Sequence, residues 1–159
     1  MAHFFHANEI AGAAVEIEKK GRAFYMRLAD VAKNDKVRKL FSHLAQEEAR
    51  HELIFHDLMD RLGKIELPAW ASNEEYCRYL LGLIESHALF SDELVEKKMG
   101  SLADEADAIR MAMSFEKDTL LFFIEMEGLV PDSEKDAVRE CIHEERQHLS
   151  NLQDMLVAL

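Results

Sequence analysis

Glu47-Glu48-Ala49-Arg50-His51 and Glu144-Glu145-Arg146-Gln147-His148 are two copies of one pattern, Glu-Glu-x-x-His. Each copy follows, by about thirty residues, a second matched stretch. Glu18-Lys19-Lys20-Gly21-Arg22-Ala23-Phe24-Tyr25 precedes the first, and Glu116-Lys117-Asp118-Thr119-Leu120-Leu121-Phe122-Phe123 the second. The two stretches share Glu, Lys and the first Phe, and Tyr25 stands opposite Phe123. Residues three apart lie side by side on a helix, so each Glu-x-x-His can offer one carboxylate and one imidazole to the same point. The repeat thus describes two related helical hairpins, each with a single Glu on one helix and Glu-x-x-His on the next.

Helical spacing continues outward from these segments. Val15, Ala23, Phe24, Leu28 and Val31 recur at helical intervals, and no β-branched run alternates as a strand would. The fold class is all-α. A first helix is predicted from about Asn8 to about Lys33, and Asn34-Asp35 can cap a second that reaches Leu62. Gly63 and Pro68 end it, and Ser72 or Asn73 can cap a third long helix from about Glu74 to about Gly100. A fourth runs from near Leu102 to Gly128, and after Pro131 either Asp132 or Ser133 caps a fifth that reaches the C-terminus. This is one domain: a hairpin over 8–62, a crossover with an extra helix over 63–102 and a hairpin over 103–157, packed as a four-helix bundle. The crossover's Tyr76, Leu80, Leu83, Ile84, Leu94 and Val95 need a surface, which the parent bundle or a second subunit could supply.

Composition narrows the function. The 159 residues carry a formal net charge of −12, which opposes attraction to phosphate backbones and anionic lipid, so neither nucleic acid nor membrane is an expected partner. No run approaches the roughly 18 apolar residues of a membrane span, and no secretory leader begins the sequence, so a cytoplasmic location is expected. Cys77 and Cys141 are too few and too separated for a disulfide framework or a metal knuckle and read as small core residues. No phosphate loop, nucleophile constellation or dinucleotide fingerprint is present.

A lone Glu-x-x-His means little in a chain rich in Glu. Glu140 and His143 form a third, but His143 is rotated roughly 140° from His148 and faces away from it. Glu48 with His51 and Glu145 with His148 differ because they recur in register with Glu18 and Glu116. Together the six match the inward-facing ligand set of two-metal carboxylate bundles. Four carboxylates in a bundle core would repel one another and take up protons unless cations compensate them, and two divalent ions balance four negative charges. Carboxylate and imidazole without thiolate suit iron first and manganese second, rather than structural zinc.

These segments resemble the erythrin domain of the rubrerythrins, in the ferritin-like superfamily. The likeness rests on Glu18 in Glu-Lys-Lys-Gly-x-x-Phe-Tyr, Leu44-Ala45-Gln46-Glu47-Glu48-Ala49-Arg50-His51, Glu116 in Glu-Lys-Asp-x-x-x-Phe-Phe, and Glu144-Glu145-Arg146-Gln147-His148. It covers both hairpins and leaves the crossover without a motif. The resemblance implies a ferritin-like bundle holding two iron ions, bridged by Glu48 and Glu145. Glu18 with His51, and Glu116 with His148, would be the terminal ligands of one ion each. It also implies a non-haem di-iron oxidoreductase that reduces hydrogen peroxide, with a ferroxidase or iron-handling and storage protein as the alternative. The four-Cys rubredoxin module of rubrerythrins proper is missing from this sequence, so an external donor such as a rubredoxin-like protein would supply electrons. Thr119 stands where the family pattern places an extra Glu, so the resemblance does not extend to redox-linked ligand exchange.

Around these residues, Tyr25 lies two turns beyond Glu18; it reads first as core packing and second as a hydroxyl partner for a ligand or an oxygen species. Gly21, unfavourable in a helix by about 1 kcal/mol against Ala, implies space beside the metals or close helix packing. Glu47 and Glu144 are expected to face solvent, His3 and His6 have no evident partner, and His43, His56 and His87 read as exposed or packed. Met26, Met59, Met113, Met126 and Met155 fall in apolar stripes as core filling. The amphipathic crossover predicts a homodimer or larger homo-oligomer, with residues 74 to 100 at the interface or hairpins exchanged between chains.

Overall fold

The computed structural model describes residues 6–89 and 91–159; His3, Phe4 and Phe5 lie outside the described residues. Four long helices form the bundle: α1 (Ala7–Val31), α2 (Asp35–Leu62), α5 (Glu105–Leu129) and α6 (Lys135–Ala158). The crossover holds a 3₁₀ turn at Ala69–Ser72 and two shorter helices, α3 (Glu74–Glu85) and α4 (Asp92–Gly100). The described residues contain no strand beyond an isolated bridge between His6 and Glu66. None of the described helices is long and apolar enough to cross a membrane.

The all-α fold has the expected two antiparallel hairpins, α1 with α2 and α5 with α6. Asn34 Oδ1 accepts from Lys36 N at 2.9 Å and starts α2. Glu105 Oε1 accepts from the backbone N–H of Lys33 and Asn34 at 2.6 and 2.7 Å, tying that turn to the first residue of α5. Gly63, at φ +51°, ends α2 in a conformation that an L side chain rarely adopts. Apolar faces meet in a core that includes Phe24, Phe41, Phe55, Phe115, Phe122 and Phe123, each no more than 3% exposed.

The crossover departs from the single helix expected over 74 to 100. Ser86 donates its hydroxyl to Gly82 O at 2.6 Å as α3 ends, and Ser91 accepts from Leu94 N at 3.3 Å as α4 begins. Such side-chain to backbone bonds compete with helix continuation. Between them His87 turns inward to Thr119, and Ala88 N donates to Asp118 Oδ2 at 3.0 Å, so the break seats on α5. Lys20–Asp92 and Arg27–Glu96 join α4 to α1, while the hydroxyls of Tyr76 and Tyr79 both donate to Glu125 of α5. Leu80, Ile84 and Val95 bury against the parent bundle, whereas Tyr79 and Leu94 stay exposed.

Smaller corrections follow from packing. Neither Asp132 nor Ser133 caps α6; Pro131 leads into a 3₁₀ turn at Asp132–Glu134, and Asp132 pairs instead with Lys135 at 2.7 Å. Met26 and Val31 lie on the outer surface of α1, 55% and 63% exposed, because the apolar stripe is wider than the face that meets the bundle. Cys141 is buried in the core, but Cys77 is half-buried, with its Sγ donating to Ala71 O.

Candidate metal centre

Each bundle helix contributes to one buried cluster. Glu18 comes from α1, Glu48 and His51 from α2, Glu116 from α5, and Glu145 and His148 from α6; none is more than 3% exposed. Glu18, Glu48, His51 and Glu145 place one ligand-type atom each within 4.8 Å of one another. Glu48, Glu116, Glu145 and His148 do the same, so Glu48 and Glu145 belong to both groups. The imidazoles of His51 and His148 stack with centroids 5.6 Å apart. Both point Nδ1 inward: His51 Nδ1 is 2.8 Å from Glu145 Oε1 and 3.7 Å from Glu18 Oε2, and His148 Nδ1 is 3.2 Å from Glu145 Oε2 and 3.5 Å from Glu48 Oε1.

The donor set fits divalent cations. Both oxygens of Glu18 and of Glu48, together with Glu116 Oε2, Glu145 Oε1 and His51 Nδ1, are buried without a well-aligned hydrogen bond; His51 Nδ1 and Glu145 Oε1 approach one another only as an ion pair. Buried polar atoms are rarely left so, and seven converging on one volume are what coordination to ions would satisfy. Burial, with mutual repulsion, pushes Glu18, Glu48 and Glu116 well above the usual carboxylate range. Glu145 is lowered against its burial by Glu116 and the two imidazoles. His51 is held up at about 9, burial being outweighed by the carboxylates of Glu145, Glu48 and Glu144, and His148 is raised in the same way. The protein alone can hold these charges only by keeping protons among them, and two cations would replace those protons.

The sequence profile of the rubrerythrin family matches residues 9–156. The chain belongs to the rubrerythrin family. Its fold is also that of a Thermotoga maritima protein whose crystal structure is assigned as a ferritin-like diiron-carboxylate protein. That match has a TM-score of 0.70 and 24% identity, covers 98% of this chain and 97% of the other, and establishes a shared fold. No curated protein matches the chain.

In this rubrerythrin-family chain the residues around the cluster separate into those anticipated and those missed. Tyr25 is fully buried and its hydroxyl donates to Glu116 Oε1, so it packs and also holds a site carboxylate. Burial and Glu116 keep that phenol protonated by pushing its pKa well above 10. A Cβ on Gly21 would lie 2.5 Å from Phe115 Cζ and 3.3 Å from Glu48 Oε2, so close packing and room at the site are the same requirement. Glu144 does not face solvent as expected: its Oε2 accepts from His51 Nε2 at 2.6 Å and also from Arg50. Glu47 is half-buried beside Arg50 at 3.3 Å. His87, buried by the crossover break, reaches Thr119 Oγ1 at 3.0 Å, and burial lowers its pKa to about 4. His43, His56 and His143 are exposed, and His6 starts α1, its N–H donating to Glu9 at 3.1 Å. The sequence signal for Glu144 was its place in the duplicated Glu-Glu pair; no comparable signal marked His87.

Proposed function

We propose that this chain is a non-haem di-iron oxidoreductase that reduces hydrogen peroxide to water, taking electrons from an external donor such as a rubredoxin-like protein. The observation that carries the reading is the pair of buried ligand groups sharing Glu48 and Glu145. In it Glu48 and Glu145 would be shared between two iron ions, Glu18 and His51 would complete the ligands of one, and Glu116 and His148 those of the other; manganese is the second choice of metal. Held there, two ferrous ions would supply two electrons together, which allows the O–O bond to be cleaved without release of hydroxyl radical.

The chain's own residues favour a small oxidant. All six ligand side chains are buried, which excludes a bulky substrate from direct contact. Hydrogen peroxide accepts two electrons and two protons to give two waters, and the cluster sits among groups that hold protons. Tyr25 keeps its hydroxyl proton and donates it in a hydrogen bond to Glu116 Oε1, which fixes that carboxylate across the bundle.

The test is to load anaerobic protein with ferrous iron and compare its oxidation by peroxide and by dioxygen. Faster oxidation by peroxide, with about two irons retained per chain, is expected. Oxidation no faster by peroxide than by dioxygen contradicts the peroxidase reading. Accumulation of many irons per chain would identify iron storage instead.

The same reading places the protein in a cytoplasm as a homodimer or larger homo-oligomer, with the exposed Tyr79 and Leu94 of the crossover at the interface. Light scattering at micromolar protein checks this. A mass of one chain, unchanged on metal loading, contradicts it.

A further inference from the structure

The duplicated ligand set sits in surroundings that are not duplicated. Glu47 and Glu144 are counterparts in the repeat, but Arg50 has Gln147 as its counterpart. Arg50, from α2, holds Glu144 of α6 in place, and Glu144 Oε2 accepts the outer N–H of His51 at 2.6 Å. The mirrored arrangement would put Glu47 on the outer nitrogen of His148. Glu47 pairs with Arg50 instead, at 3.3 Å, and Gln147 turns to Asn151 at 3.1 Å. Among the described residues no side chain is hydrogen-bonded to His148 Nε2.

The second break in the repeat is Tyr25 against Phe123. The Tyr25 hydroxyl occupies Glu116 Oε1, whereas Phe123 has no hydroxyl and neither oxygen of Glu18 accepts a hydrogen bond. A carboxylate that accepts the outer N–H of an imidazole fixes its tautomer and makes the inner nitrogen a better donor. A carboxylate oxygen already engaged by a hydroxyl is a poorer one. Both asymmetries favour the same side of the cluster.

Building on the two-metal reading, we propose that Glu144 is a positioning residue for His51 and that the two metal positions are inequivalent. The ion taken by Glu18 and His51 binds first and more tightly than the ion taken by Glu116 and His148. Arg50 acts through Glu144, holding its carboxylate at the His51 ring.

Titration of the metal-free protein with cobalt(II), followed by electronic absorption and paramagnetic NMR, tests this. Wild type should bind two ions in two resolved steps. The first step should bring one shifted, solvent-exchangeable imidazole N–H resonance, that of His51 protected by Glu144. E144A should weaken the first step by roughly 10–100-fold, so that the steps merge, and should lose the slow exchange of that N–H. E144Q, whose amide oxygen still accepts the N–H, should recover part of the difference, and E47A should keep both steps. Y25F approaches the asymmetry from the other side without touching the α2–α6 contact. It should tighten the second step and narrow the gap, which covers the case of E144A failing to fold.

Two equal steps in wild type, or an unchanged first step in E144A, overturn the proposal while leaving the two-metal reading intact. Wild type that binds no cobalt overturns both.

Discussion

Glu48 of α2 and Glu145 of α6 stand on opposite hairpins, yet both lie within 4.8 Å ligand distance of each imidazole-containing group. Each reaches the centre from the Glu-Glu pair of its own hairpin, so the bundle cannot form without bringing the two carboxylates together. Two buried acids beside Glu18 and Glu116 oppose folding unless protons or cations accompany them.

Glu48→Gln should therefore separate stability from loading. Replacing a buried acid that must hold a proton in the metal-free fold with a neutral amide should raise the melting temperature of the metal-free protein, by about 2–4 °C for each kcal/mol gained. The same change should abolish retention of both ions, whereas Glu18→Gln should spare one. Calorimetry of the metal-free variants, with elemental analysis after dialysis, checks both. A metal-free E48Q less stable than wild type, or one that still retains two ions, contradicts the shared role of Glu48.

The metal-free protein should lose stability as pH rises. Glu18, Glu48 and Glu116 are raised by burial, and His51 stands at about 9 where an unfolded His titrates near 6.5. Between about pH 5 and pH 9 the folded chain thus holds more protons than the unfolded chain, which makes the slope of stability with pH negative. The stabilisation from His51 is complete below about pH 6.5 and disappears through about pH 9. Glu145, lowered, acts oppositely and only on the acid side, and His87, held at about 4 by burial, acts oppositely up to about pH 6.5; the five raised groups of the cluster outweigh both. Saturating divalent metal requires deprotonated ligands, so it should flatten or reverse the slope. It should also add about 2.7 kcal/mol at free metal one hundred times its dissociation constant. Melting curves across this range, with and without metal, measure it; a metal-free melting temperature that climbs with pH contradicts it.

Gly21→Ala should destabilise the protein even though Ala is the better helix former by about 1 kcal/mol. The added methyl meets the Phe115 ring at 2.5 Å and the Glu48 carboxylate at 3.3 Å. Phe115 is fully buried against Phe24, Tyr25 and His87, so its ring has little room to retreat. Overpacking of this kind typically costs about 1–3 kcal/mol. A melting temperature at or above wild type would show that the ring gives way.

The four long helices were legible because heptad-like apolar spacing, the Asn34 cap and Gly63 all act locally. The six cluster residues were legible because duplication in register makes the coincidence of Glu18 with Glu116 and of two Glu-x-x-His pairs visible without a structure. What could not be read depends on contacts between elements. The break that follows Ser86 leaves the apolar spacing of Leu80, Ile84 and Val95 unbroken, and only His87 seating on Thr119 reveals why the chain turns there. Glu144 looked like a solvated acid because its position relative to Glu145 points away from the centre. Its partners, Arg50 and His51, belong to the facing helix. Tyr25 looked like packing because Glu116, which takes its hydroxyl, is on another hairpin.

The most direct measurement is anomalous diffraction at the iron absorption edge from crystals of the natively purified protein, with elemental analysis of the same sample. Two iron peaks are expected in the bundle centre, both in contact with Glu48 and Glu145, one completed by Glu18 and His51 and the other by Glu116 and His148. A single peak, peaks away from these six side chains, or no bound transition metal would contradict a two-iron centre built on the duplicated hairpins.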